Sequence, residues 1–261
     1  MSPAIRSHRR RVAGQRVSLD PFSIAVFLLA VSLLGLAKGG LSGIGLMAMP
    51  LMLLVMPPAP AAGLILPILM IQDAMSLWLY RGQWDGKNLR LLIPSAGIGI
   101  VVGILLFAVV PEEMLLAILG AITIVFAARG LLNARAPARV PHPVVGVFLG
   151  ALSGFTSTVL HQGGPPFQMY LLPQKLPRDV FVGTGIVFFA VLNWTKLPGF
   201  VWLGQITGEV LVIAAVSAPF AIFMTWVGAK IVRQLDPMRF YTIIHWLLVA
   251  VGVQLLVDAF V

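Results

Sequence analysis

Apolar runs occupy about 21–37, 44–56, 61–80, 89–110 and 114–132 of the chain, and then 144–160, 166–172, 180–195, 207–232 and 240–261. A bilayer span needs about 20 apolar residues, so most of these runs predict membrane helices. Two are too short to span: 44–56, which contains Pro50 and stops at Pro57-Pro58-Ala59-Pro60, and 166–172. Each half therefore reads as one long segment, one short broken segment and three long ones. A basic tail (1–20) precedes a first repeat (21–133), a Pro/Arg linker (134–143) and a second repeat (144–261).

The duplication is visible residue by residue. Gly35 and Gly150, Gly39 and Gly154, Ser42 and Ser157, Pro50 and Pro165, and Pro58 and Pro173 are all separated by the same 115 residues. Internal repeats with paired, interrupted short segments point to the binding site of a secondary transporter. Loop charge separates the halves. Arg81, Lys87 and Arg90, then Arg135 and Arg139, mark cytoplasmic loops in the first half. In the second half the loop read at 196–206 carries only Lys196, whereas 233–239 carries Arg233 and Arg239. That exchange favours inverted repeats. The arginines of the tail argue for the cytoplasm, and an inverted first half argues for the other side.

Composition narrows the class. With 59% hydrophobic and only 10% charged residues, against roughly 25% charged in soluble domains, the chain reads as an all-α polytopic membrane protein. The expected location is the inner, cytoplasmic membrane. No small-residue cleavage site follows the first apolar run, so a cleaved signal peptide is not expected. The absence of cysteine excludes disulfides, thiolate metal sites and cysteine nucleophiles. Neither a metal nor another cofactor is expected. The net charge of +9 comes from the tail and from segment ends, which fits contact with anionic lipid rather than nucleic acid. A homodimer is compatible with the sequence.

The two broken stretches hold the candidate chemistry. The first runs Lys38-Gly39-Gly40-Leu41-Ser42-Gly43, and the second runs Ser157 to His161-Gln162-Gly163-Gly164-Pro165. Broken backbone in hydrocarbon is tolerated where protein or a wet cavity satisfies it. Helix N-termini after the breaks supply N–H groups, and glycine permits close approach to an anion. The expectation is that the breaks face each other and bind one small anion through Lys38, Gly39, Gly40, Ser42, Gly43, Ser157, His161, Gln162, Gly163 and Gly164, with Asn193 in addition. Lys38 could instead snorkel to the headgroups, Ser153 reads as helix packing, and His245 reads as a buried, hydrogen-bonded histidine. Asp73 is the one carboxylate near the middle of an apolar run. Such groups are costly and usually paired or in proton paths. Asp73, Gln72 and His161 are therefore candidates for proton coupling or for a core partner role, with Lys38 or Arg81 opposite Asp73.

Glycine-rich runs closing on proline at the start of each half (Gly39, Gly40, Gly43, Gly45 and Pro50-Leu51; Gly150, Gly154 and Gly163-Gly164-Pro165) resemble those of the TauE/SafE family of sulfite and organosulfonate transporters. The resemblance covers about 21–261. It implies movement of small sulfur-containing anions, such as sulfite or sulfoacetate, across the cytoplasmic membrane. Two departures stand out: Lys38 precedes two glycines rather than three, and His161-Gln162 occupy a usually glycine-rich place. A passive anion channel would use the same residues. An intramembrane hydrolase is disfavoured, because Ser153 and His161 lie about 12 Å apart along a continuous helix.

Overall fold

The computed structural model describes residues 20–41, 43–106, 112–133, 137–159, 162–202 and 204–260. Among them there are helices and no strands. Ten α-helices follow in order: α1 (Pro21–Lys38), α2 (Ala48–Leu53), α3 (Pro58–Leu79), α4 (Gly86–Leu106), α5 (Glu112–Leu132), α6 (Pro143–Val159), α7 (Gly164–Leu171), α8 (Arg178–Trp202), α9 (Gly208–Gln234) and α10 (Pro237–Phe260). Short 3₁₀ turns, Ile44–Met47 and Leu172–Gln174, flank α2 and α7. Six helices (α1, α3, α5, α8, α9 and α10) are long and apolar enough to cross a membrane. The surface agrees with that reading: large apolar side chains such as Val216 (78% exposed) and Ile98 (62%) face outward, while Gln72, Asp73, Ser76 and Thr225 are buried. Lipid, unlike water, accepts such an exterior.

Local chemistry sets the helix starts. Asp20 caps α1, accepting from the Ser23 backbone N–H (3.0 Å) and hydroxyl (2.7 Å), with Pro21 in the first turn. Asp236 caps α10 through the Arg239 N–H at 3.0 Å, again followed by a proline. A carboxylate at the N-cap satisfies an orphan donor, and proline at the first position forfeits none. The run Pro57-Pro58-Ala59-Pro60 lies beyond the end of the short segment, as expected, since α2 ends at Leu53, and the next helix, α3, opens within it at Pro58. A correction concerns 196–206, which reads as a loop. Helix α8 continues through Pro198 to Trp202, since an interior proline is tolerated in membrane helices when neighbours satisfy the freed backbone.

The chain forms two compact units. The first comprises α1, α2, α3 and residues 193–230; the second comprises residues 80–192 and 231–261. In the first, Val31, Leu34, Met52, Leu64 and Ile68 build an apolar core with Ala214 of α9. Glycines bring α1 close to α9: a β-carbon on Gly35 would lie 2.7 Å from Met224 Cβ, and one on Gly39 would lie 2.4 Å from the Ala229 nitrogen. In the second unit α4 lies along α6, where a β-carbon on Gly154 would fall 2.0 Å from Ala96 O. There α5 meets α10 through Gly120 and Gly252, each of which leaves room for the other's carbonyl. Small residues allowing close backbone approach are the usual basis of helix packing in membranes.

Candidate functional site

The first break is a defined helix ending. Helix α1 closes with a Schellman motif: Leu41 N–H donates to Leu36 O (3.1 Å) and Gly40 N–H to Ala37 O (3.0 Å). Gly40 stands at φ 127°, a conformation that side chains with a β-carbon rarely adopt. Gly43, at φ 116°, turns the chain again into the 3₁₀ turn. This differs from the expected helix N-terminus aimed at an anion. Segment two begins as a 3₁₀ turn followed by a helix of only six residues, too short to present an N-terminal anion site. The glycines at 40 and 43 use their torsional freedom to turn the chain, and Gly39 lets α1 approach α9.

The chemistry of the first unit converges on Asp73. Its carboxylate is 2% exposed. Lys38 Nζ donates to Oδ1 in a salt bridge, and Asn193 Nδ2 donates to Oδ2 at 2.7 Å. The neighbouring turns of α3 hold the end of α1: Ser76 Oγ donates to Lys38 O (2.9 Å), and Gln72 Nε2 donates to Val31 O (3.2 Å). Gln72 is fully buried and its Oε1 has no hydrogen-bond partner among the described residues. Three residues that the sequence singles out, on three helices (Lys38, Asp73 and Asn193), are thus joined by their side chains. Lys38 is the partner of Asp73. An ammonium has three donors, so Lys38 retains hydrogen-bonding capacity beyond its carboxylate contact.

Sequence reasoning left Lys196 out of the helix. It lies on α8, three residues after Asn193, and so shares that helix face. A loop assignment for 196–206 hides it. The i, i+3 spacing from Asn193 was the available signal.

The second break lies in the other unit. Ser153 Oγ donates to Gly163 O (2.6 Å), Thr156 Oγ1 to Gln162 O (3.0 Å), and Gln162 N–H to Thr156 O (3.1 Å). Ser157 is buried beside Gly163, where an added β-carbon would lie 2.8 Å from Ser157 Cβ. Gln162 is buried, with its Oε1 unpartnered among the described residues. Gly164 opens α7, and a β-carbon there would meet open space. Ser42 and His161 lie outside the described residues. His245 is hydrogen-bonded as expected but half-buried rather than buried: its Nδ1 lies 2.7 Å from Tyr241 O and its ring stacks on Phe126. At the end of α3, Tyr80 is buried with the Arg233 guanidinium 5.2 Å from its ring centre. Burial pushes its hydroxyl up to about 12.

Known proteins share this sequence pattern. The family described as "Sulfite exporter TauE/SafE" matches residues 27–255. A protein of Cupriavidus necator described as a probable sulfite/organosulfonate exporter TauE is 27% identical over 217 residues, covering 77% of this chain and 81% of the relative. No solved structure matches the chain. With the family pattern covering nearly all of an all-helical membrane chain, the protein belongs to the TauE/SafE sulfite exporter family of membrane transporters.

Proposed function

We propose that this protein is a secondary transporter moving a small sulfur-containing anion, such as sulfite, sulfoacetate or a related organosulfonate, across the inner membrane. The reading is supported by family membership and by the description of the Cupriavidus relative. The observation that carries a location for the anion is the buried Lys38–Asp73–Asn193 constellation. Ionisable groups placed within membrane helices are costly and commonly functional. Here a lysine with donors to spare ends a helix at a glycine break.

In this account Lys38 and Asn193 donate to the anion's oxygens. Asp73 holds both donors in place and, together with Gln72, is the candidate for coupling to the proton gradient. Gly40 and Gly43 shape the break. Ser157, Gln162, Gly163 and Gly164 line the anion's path in the second unit. The two sequence repeats carry these parts as inverted copies. The hydrolase alternative has little left to rest on: Ser153 donates its hydroxyl to a backbone carbonyl, and the family is one of exporters.

Purified protein in liposomes tests the reading through movement of sulfite, sulfoacetate and taurine, with and without an imposed pH gradient. Saturable flux of at least one anion, accelerated by the gradient, is expected. No flux of any of them would sink the sulfur-anion reading. Flux that responds only to the anion's own gradient would favour a passive channel.

A further inference from the structure

The second unit holds a cavity of about 550 Å³ where the N-terminal ends of α8 and α10 come together. Both helices are long and apolar enough to cross a membrane, so their ends lie at the depth of the lipid headgroups. The walls combine apolar groups (Leu176, Pro237 and Met238) with the side chains of Arg178 and Asp179, and Lys175 also lines them. Small-molecule pockets run from about 300 to 1,000 Å³, so a headgroup has room here. Arg233, at the end of α9, and Arg239, at the start of α10, stand at the same end. The positive-inside rule assigns such an end to the cytoplasm.

Three hydrogen bonds fix the Arg178 guanidinium. Its Nη1 donates to Arg233 O (3.1 Å) and to Leu235 O (2.7 Å), and its Nε donates to Asp179 Oδ1 (2.8 Å). A guanidinium has five donors in a fixed fork, and a carboxylate accepts through both of its oxygens. Among the described residues no hydrogen bond uses Arg178 Nη2 or Asp179 Oδ2. The two side chains are 19% and 31% exposed, so a ligand can reach both. The cavity thus offers cationic donors and an anionic acceptor side by side, next to apolar walls. A simple anion satisfies only the donors. A group with a phosphate and an ammonium a few bonds apart satisfies both.

We propose that this cavity binds the headgroup of phosphatidylethanolamine from the cytoplasmic leaflet, with the phosphate on Arg178 Nη2 and the ammonium on Asp179 Oδ2. Arginine suits the phosphate because its planar fork matches phosphate oxygens. The Asp179 carboxylate sets the choice of lipid: ethanolamine brings N–H donors and a compact charge, whereas choline has no N–H to donate. Leu176 and the 56%-exposed Met238 give apolar contact to the lipid below its headgroup. The site is independent of the transported anion and of the Lys38–Asp73–Asn193 centre.

Native mass spectrometry of the purified, delipidated protein tests this by titration with phosphatidylethanolamine, phosphatidylcholine and phosphatidylglycerol of identical acyl chains. Phosphatidylethanolamine is expected to bind about 3- to 10-fold more tightly than phosphatidylcholine, the range between an exposed ion pair and a charged hydrogen bond. Phosphatidylglycerol is expected to bind no more tightly than phosphatidylethanolamine. Asp179→Asn should erase the preference for ethanolamine over choline while leaving phosphatidylcholine binding unchanged. Asp179→Ser reads the same effect if the first variant does not fold, and circular dichroism confirms the helix content of each. Soluble glycerophosphoethanolamine, which has the same headgroup without acyl chains, should bind at least about tenfold more weakly than the lipid. Equal affinity for the ethanolamine and choline lipids overturns the proposal, as does a preference that persists in the folded Asp179 variants. Tighter binding of phosphatidylglycerol would make the cavity a simple anion site, and equal binding of the soluble compound would make the ligand a water-borne one; either result overturns the proposal as well.

Discussion

The Lys38–Asp73 pair offers the sharpest energetic test of the fold around the centre. Asp73 is 2% exposed and the Lys38 side chain 14%, so neither charge is well solvated when its partner is lost. Removing one member of a buried pair costs about 3–5 kcal/mol, chiefly because the other charge is left uncompensated. Lys38→Met and Asp73→Asn are each expected to destabilise by about that amount. The double variant leaves no orphaned charge. Two unit charges 4 Å apart interact by about 4 kcal/mol at an effective dielectric of 20, and partial exposure of Lys38 reduces this to about 2–4 kcal/mol. The double variant is therefore expected to be less destabilised than the sum of the singles by about 2–4 kcal/mol. Equilibrium unfolding in mixed detergent micelles, followed by far-UV circular dichroism, measures all four corners of the cycle. Additivity within about 0.5 kcal/mol, the behaviour of independent sites, would refute the pairing.

Other expectations follow from single contacts. A β-carbon on Gly39 would lie 2.4 Å from the Ala229 nitrogen and 2.5 Å from the Gly228 carbonyl carbon, so Gly39→Ala should cost about 1–3 kcal/mol by overpacking. Gly164→Ala, which meets open space, should stay within about 0.5 kcal/mol; thermal unfolding of the two variants side by side compares them. Ser153→Ala removes the bond to Gly163 O and should cost about 1 kcal/mol, with faster proteolysis between α6 and α7 as an independent reading. Burial raises the Tyr80 pKa from its ordinary 10.0 to about 12 in the folded protein. The fold thus favours the neutral phenol, and this stability is fully present below pH 10 and is lost as pH rises toward 12. A tenfold change in acidity corresponds to about 1.4 kcal/mol, so the Tyr80 contribution is roughly 2–3 kcal/mol. Tyr80→Phe should abolish that part of the alkaline decline when unfolding is measured across the same pH window.

Much of this architecture was legible because hydrocarbon imposes simple rules. Among the described residues each of the ten apolar runs holds an α-helix, since backbone groups in a bilayer must be satisfied within the segment. Asp73 stands out as a carboxylate in the middle of an apolar run, and of the two partners expected for it, Lys38 and Arg81, the structure gives it Lys38. Asn193, its second partner, also stands out, but composition alone offers no way to join residues 120 positions apart. Proline misleads once. Pro58 opens a helix after the expected stop, whereas Pro198 lies inside one, because what proline does depends on whether neighbouring groups satisfy the carbonyl it leaves unpaired. That error conceals Lys196. Gly39 and Gly40 look alike in sequence, yet one is required by a close helix contact and the other by a positive φ. Nothing in the sequence distinguishes those two demands.

The central claim, that a sulfur anion crosses the membrane by way of the Lys38–Asp73–Asn193 centre, is tested most directly by sulfite efflux from proteoliposomes. The unaltered protein is compared with Lys38→Ala and Asn193→Ala at equal amounts of folded protein. Saturable efflux from the unaltered protein, reduced at least about tenfold in both variants, is predicted. Efflux at the unaltered rate in both would place the anion elsewhere and contradict the account.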